Sequence, residues 1–167
     1  DALLFQVDVS QANPLLVNLD HSEDSDDVEI YIRKGLPPTR REFDVRNERA
    51  GADQLLSVPL ATPGPWFVLV YGKSIASPGD FSIQAFQSPS YTSRVVPDVL
   101  VTGQTASVTL SGAGYLPGTQ VSLRDEVGTE FPASSVRVDS FGQSTVAFNL
   151  AGVPEGAYHL IVTIPGL

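Results

Sequence analysis

An all-β fold, built as two tandem antiparallel β-sandwiches, is what this sequence predicts, and three observations predict it. Apolar residues recur in short runs with period-two alternation, the spacing of a strand with one buried face. No segment sustains a helical period, and 13 prolines and 14 glycines punctuate the 167 residues. The runs fall into two series, parted by the polar stretch Ser88-Pro89-Ser90-Tyr91-Thr92-Ser93. Many short strands with turn signals at near-regular spacing indicate sandwiches.

The first series consists of Leu3–Val9, Pro14–Leu19, Val28–Arg33, Leu55–Leu60, Trp66–Tyr71 and Asp80–Phe86. In Trp66-Phe67-Val68-Leu69-Val70-Tyr71 both alternating faces are apolar. That predicts a central strand buried on both sides, with Trp66 in the core rather than serving as a carbohydrate-stacking platform. The second series consists of Ala106–Ser111, Gln120–Arg124, Ser135–Val138, Ser144–Leu150 and Ala157–Ile164. Each series has enough strands for two packed sheets. The expected domains are residues 1–88 and 93–167, joined by a short linker. Charge shifts across the boundary: Asp1–Ser88 holds 13 acidic and 7 basic residues, Pro89–Leu167 only 6 and 3.

The net charge of −9 argues against nucleic acid and against anionic lipid as partners, since both demand a basic surface. No apolar run approaches the roughly 20 residues that span a bilayer, so no membrane insertion is expected. Cysteine is absent, which removes disulfides, thiolate metal sites and a Cys nucleophile. Methionine is absent too, and the chain closes on Pro165-Gly166-Leu167 in what reads as a strand ending. The expectation is an excised piece of a longer polypeptide.

Asp20–Asp27 concentrates charge more than any other segment, with five acidic residues and His21 in eight positions, running directly into the alternating strand from Val28. Carboxylates so crowded repel one another unless a cation sits among them or water solvates them. Ca²⁺ takes roughly six to eight hard oxygen ligands, and Asp20, Glu23, Asp24, Asp26 and Asp27 are the candidate metal ligands. The register is not that of an EF-hand. Counting from Asp24, Val28 fills the fifth position and Glu29 the sixth, where Gly is needed. The alternative is a solvated acidic loop balanced by Arg40, Arg41, Arg46 and Arg49. Asp27 and Glu29 share a strand face, but carboxylates on a sheet face are common, and a general acid/base pair is the lesser reading.

Other chemistry finds little support. His21 and His159 fall in different expected domains and make a poor zinc pair. No Gly-x-Ser-x-Gly elbow and no Gly-x-x-x-x-Gly-Lys-Ser/Thr phosphate loop occurs. The only basic cluster, Arg40 to Arg49, is interleaved with acids and reads as a salt-bridged surface loop.

Four ordered pieces carry a likeness to a known family: Asp27-Val28-Glu29-Ile30-Tyr31-Ile32; Gly35-Leu36-Pro37-Pro38-Thr39 with Phe43-Asp44; Gly64-Pro65-Trp66 through Gly72; and Gly79-Asp80-Phe81-Ser82-Ile83. Across nearly all of Asp1–Ser88 the chain resembles the bacterial pre-peptidase C-terminal (PPC) domain, a jelly-roll-like sandwich. It departs from that pattern at Glu29, usually Asp, and at Pro65, commonly Thr. In the second half, Ser111-Gly112-Ala113-Gly114-Tyr115-Leu116-Pro117-Gly118-Thr119 and Gly152-Val153-Pro154-Glu155-Gly156-Ala157-Tyr158 are similar to turns of Ig-like domains of the IPT/TIG type. These resemblances imply a non-catalytic accessory module of a larger secreted or cell-surface bacterial protein. Such a module spaces, stabilises or targets a neighbouring domain, and some PPC relatives bind Ca²⁺ or insoluble polymers. The alternative is a carbohydrate- or matrix-binding module, with extracellular polysaccharide or matrix protein as partner and Tyr31, Tyr71, Tyr91 and Tyr115 as its contact aromatics. A hydrolase is the least supported class.

Overall fold

The computed structural model describes residues 1–76 and 79–165. The strand ending read at Pro165-Gly166-Leu167 lies outside them at Gly166 and Leu167. The fold is all-β, its sheets are antiparallel, and no helix occurs among the described residues. The chain divides into two compact units, Asp1–Ser88 and Pro89–Leu167.

Unit 1 contains β1 (Ala2–Val9), β2 (Asn13–His21), β3 (Asp27–Lys34), β4 (Val45–Asn47), β5 (Gln54–Ala61), β6 (Gly64–Ser74) and β7 (Phe81–Gln87). They form one sheet in the order β1-β6-β3-β4 and a second in the order β5-β2-β7. Alternation decides which side faces in. Leu15, Val17 and Leu19 of β2 are fully buried, as are Val28, Ile30 and Ile32 of β3, and Trp66, Val68 and Val70 of β6 join them. The indole N–H of Trp66 donates to the carbonyl of Thr62 at 2.9 Å, so its one polar atom is satisfied inside the core. The second face of β6, with Phe67, Leu69 and Tyr71, is only half-buried, so the strand is central in its sheet but not buried on both sides. Pro14 sits in the middle strand β2, where a missing N–H would break the ladder, and the register shifts there between Asn13 and Leu15.

Unit 2 contains β8 (Tyr91–Val96), β9 (Thr105–Ala113), β10 (Gln120–Arg124), β11 (Glu130–Pro132), β12 (Ser135–Ser140), β13 (Gln143–Asn149) and β14 (His159–Thr163). Its sheets run β12-β13-β9-β8 and β11-β10-β14. Val108, Leu110, Tyr115, Val121, Val146 and Phe148 form its core. Tyr91, Thr92 and Ser93, polar enough to read as linker, are the opening residues of β8. Three strands escape the alternation pattern altogether: β4 and β11 are three residues long, and β8 is mostly polar.

Two glycines, one at the end of β9 and one in the turn after it, explain how the aromatic that follows becomes core. Residue Gly112 lies so close to the Tyr91 carbonyl that an added Cβ would overlap it, and that Cβ would stand 2.9 Å from the Tyr115 hydroxyl. Its neighbour Gly114 has φ +87°, and a Cβ there would overlap the Pro89 carbonyl. The backbone of residues 89–91 therefore lies directly over the turn. Tyr115 is 1% exposed, and its hydroxyl pairs with Thr92 Oγ1 at 2.8 Å. Burial pushes the Tyr115 phenol above its ordinary pKa. Pro117-Gly118 then make a type II turn: φ is +91° at Gly118, and the Thr119 amide donates to the Leu116 carbonyl at 2.9 Å.

A Gly112→Ala substitution is expected to destabilise unit 2 by about 1–3 kcal/mol, the usual range for forced overpacking. Gly156→Ala, whose Cβ would meet only Tyr158 at 3.9 Å, is expected to stay within about 0.5 kcal/mol. Urea titration of the two variants followed by circular dichroism checks this, and equal midpoints would contradict it.

Candidate functional site

Strand β3 points Val28, Ile30 and Ile32 into the core, which leaves Asp27, Glu29, Tyr31 and Arg33 on the opposite face. That face would ordinarily meet water, yet Glu29 is 3% exposed and Tyr31 fully buried. The cover is the segment between β3 and β5. The Asp44 amide donates to the Ile32 carbonyl at 2.8 Å, and β4 pairs with β3 through Tyr31 opposite Arg46. The Thr39 hydroxyl accepts from the amides of Arg41 and Glu42, a local turn that fixes the chain around Arg40. The Phe43 ring packs on Tyr31 at 5.6 Å between centroids.

Glu29 is the centre of the cluster. Arg40 approaches it with two nitrogens, Nε to Oε2 at 3.0 Å and Nη2 to Oε1 at 3.4 Å. The same guanidinium lies 4.3 Å over the ring of Tyr71, the residue directly across from Glu29 on β6. Lys73 Nζ stands 3.0 Å from Asp27 Oδ2 and 3.6 Å from Glu29 Oε1. The Tyr31 hydroxyl lies 2.6 Å from Glu29 Oε2 and 2.7 Å from Glu48 Oε1, so one phenol proton serves two carboxylates. Glu48 in turn holds Arg46 at 3.2 Å. Three carboxylates thus meet three cations.

Electrostatics follows from this arrangement. Burial pushes the Glu29 carboxyl up, but the hydrogen bonds from Tyr31 and Arg40 and the charges of Arg40 and Lys73 outweigh it and hold it below the ordinary carboxylate range. Burial and the neighbouring Glu29 push the Tyr31 phenol well above its ordinary value. A general acid needs a raised carboxyl pKa, and Glu29 has the reverse. Both its oxygens are already engaged. The arrangement ties the β3–β5 connection to the sheet.

The five candidate metal ligands diverge. Asp20, at the end of β2, is exposed, as are Glu23 and Asp24. Asp26 turns inward and is 2% exposed; its Oδ1 accepts from the Ala76 amide at 2.9 Å, and its Oδ2 faces His21 Nε2 at 3.8 Å. Residue Asp27 belongs to the Glu29 cluster through Lys73. His21 is buried as well. Its Nδ1 accepts from the Glu23 amide at 3.1 Å, which places the ring proton at Nε2. Among the described residues no three His, Asp or Glu side chains converge into a group that would hold a metal. The buried Oδ2 of Asp26 and Oδ1 of Asp27 nevertheless lack hydrogen-bond partners. Arg40 and Arg46 pair with Glu29 and Glu48 and do not balance the 20–26 loop as the sequence suggested.

The aromatic candidates also need correction. Tyr31 and Tyr115 are buried and present no face to a polysaccharide. Tyr71 is half-buried beneath Arg40, and Tyr91 is half-buried on β8. Sequence reasoning missed Tyr31, Arg40, Glu48 and Lys73 as one cluster. The available signal was the pairing of Glu29 and Tyr31 on one strand face with a basic segment following it.

No family model matches the chain, and no curated protein matches it. Among solved structures it is similar to the adhesin domain of Epf from Streptococcus pyogenes, at 13% identity and a TM-score of 0.30. The match covers 96% of this chain, which spans 65% of the length of that one.

A Tyr31→Phe variant is expected to lose about 1.5–3 kcal/mol, the value of a hydrogen bond to a charged group. The Glu29 carboxyl titrates lower in the folded state than in the unfolded one. Its contribution is therefore complete above the ordinary Glu value of 4.5 and is lost as pH falls through the folded value. The gap between the native chain and Tyr31→Phe should be widest near neutral pH and should shrink as pH falls below the ordinary Glu value of 4.5 and through the lower folded value. Urea unfolding at a series of pH values measures it, and a constant gap would contradict the assignment.

Proposed function

We propose that this chain is a non-catalytic accessory module of a larger secreted or cell-surface bacterial protein, one that spaces, stabilises or targets a neighbouring domain. The observation that carries the reading is the Glu29 cluster. The buried ionic group of unit 1 is spent on fastening its own β3–β5 connection, with Arg40, Tyr31 and Lys73 occupying both carboxylate oxygens. Two compact sandwich units, each with its own apolar core, suit a spacer. The resemblance of residues 1–88 to PPC domains and of residues 93–167 to Ig-like domains supports the same role and an extracellular location. The purified chain is expected to turn over no generic ester, peptide or glycoside substrate. Turnover that Glu29→Gln abolishes would overturn the proposal.

Ca²⁺ binding at residues 20–27 is a second reading, favoured by one specific observation. Asp26 Oδ2 and Asp27 Oδ1 are buried carboxylate oxygens without hydrogen-bond partners. Such atoms are costly unless a cation or donor meets them. Glu23 and Asp24, exposed on the turn between them and His21, would have to swing inward to complete a Ca²⁺ shell. Binding to the folded chain alone, at about 100 times the dissociation constant, adds about 2.7 kcal/mol. Melting in millimolar Ca²⁺ and in chelator tests this: a higher midpoint with Ca²⁺ is expected, and Asp26→Asn should reduce the increment. Identical midpoints remove the reading.

A further inference from the structure

Strand β7, in the middle of the chain, is an edge without the usual guards. It closes one side of the sheet β5-β2-β7, and among the described residues it pairs with β2 alone. Edge strands invite pairing with other chains unless charge, proline, a bulge or shortness blunts them. Most edges here carry such a device. Strand β5 has Pro59 and a register shift, β8 has Arg94 and a shift, and β12 has Arg137, Asp139 and a shift. Strands β4 and β11 are three residues long, and β1 carries Asp8. In contrast β7 has no charge and no proline, and its register against β2 is unbroken over seven residues.

The hydrogen bonds fix which backbone groups of β7 point outward. The Ser22 amide donates to the Asp80 carbonyl at 2.9 Å, and the Ser88 amide donates to the Pro14 carbonyl at 3.1 Å. Bonded pairs alternate along an antiparallel ladder. Ser82, Gln84 and Phe86 therefore exchange bonds with β2, while Phe81, Ile83, Ala85 and Gln87 direct their N–H and C=O groups to the open edge. Exposure agrees. Ala85 lies opposite the fully buried Val17, on the same face as the core residue Ile83, yet it is exposed. On the other face Phe86 is 48% exposed beside Leu16.

We propose that two copies of this chain pair through β7, antiparallel about a two-fold axis at Gln84. That register pairs every residue of the strand and joins the four outward-directed backbone positions of each copy in one ladder. Phe81 meets the second copy's Gln87, Ser82 its Phe86, and Ile83 its Ala85, so each larger side chain faces a smaller one. Charge favours the same partner. The chain carries −9, and a second copy, equally negative, is least repelled along a strip that has no charge. The nearest acids, Asp20 opposite Ser82 and Asp80 before Phe81, lie at one end of β7. Antiparallel pairing sends the acids of the two copies to opposite ends. The two-fold axis uses both edges, so assembly closes at a dimer.

Sedimentation of the full chain from about 10 μM to about 1 mM tests this, since one strand pair is smaller than a standard interface and gives a weak dimer. A concentration-dependent dimer is expected. Gln84→Glu sets two carboxylates against each other on the axis and should weaken it about tenfold or more. Gln143→Glu, exposed on β13, makes the same charge change in unit 2 and should leave it intact. Mixing Gln84→Glu with Gln84→Lys should restore dimers, which requires the two residues to face each other. Amide exchange in the dimer should slow about tenfold at Ile83 and Ala85 but not at Ser82 and Gln84, whose amides already bond β2. A chain that stays monomeric to about 1 mM would overturn the proposal. So would a dimer indifferent to charge at Gln84, or one whose new protection falls on another strand.

Discussion

A carboxylate in a nearly dry position sets a condition that the surrounding sequence has to meet. Glu29 lies 3% exposed on the face of β3 that turns away from the apolar core. A charge there is tolerable only if cations and donors replace the lost water. The replacements come from three places at once: Arg40 on the connection after β3, Lys73 on the neighbouring strand, and Tyr31 two residues along. Because Arg40 must reach Glu29, the connection folds back over the sheet. Because it does, Phe43 covers Tyr31 and β4 gains its place beside β3. The outer layer of unit 1 is thus organised by one acidic group, while its inner layer is organised by burial of Leu15, Val17, Ile30, Val68 and Trp66.

The inner layer was legible in the sequence and the outer one was not, for a physical reason. Alternation tells which side chains of a strand share a face, and an apolar set such as Val28, Ile30 and Ile32 identifies the core face without further information. It does not tell what lies over the other face. Glu29 and Tyr31 look solvated until a covering segment is known, and that segment has no period of its own to announce it. Length limits the remainder: β4 and β11 are too short to show a period, and β8 is too polar. Tyr115 illustrates a different limit. An aromatic between glycines in a turn reads as a surface group, but Gly112 and Gly114 admit the backbone of residues 89–91 so closely that the ring becomes core.

The acidic loop divides along the same line. Asp27 belongs to the cluster through Lys73, Asp26 reaches back to the Ala76 amide and the His21 ring, and Asp20, Glu23 and Asp24 stay in water. Five acids adjacent in sequence therefore occupy three kinds of environment. Charge density along a chain measures local repulsion, whereas a metal shell needs oxygens that converge in space. The unpartnered oxygens of Asp26 and Asp27 mark where the two descriptions come nearest to agreeing.

Trp66 has a consequence of another kind. It is the single tryptophan of the chain, it sits 5% exposed in the core of unit 1, and its indole N–H is held by the Thr62 carbonyl. Unit 2 carries Tyr91, Tyr115 and Tyr158 but no indole. Light absorbed at the red edge of the aromatic band is emitted from one sandwich only, so the two halves of this chain carry separate optical signatures without any added label.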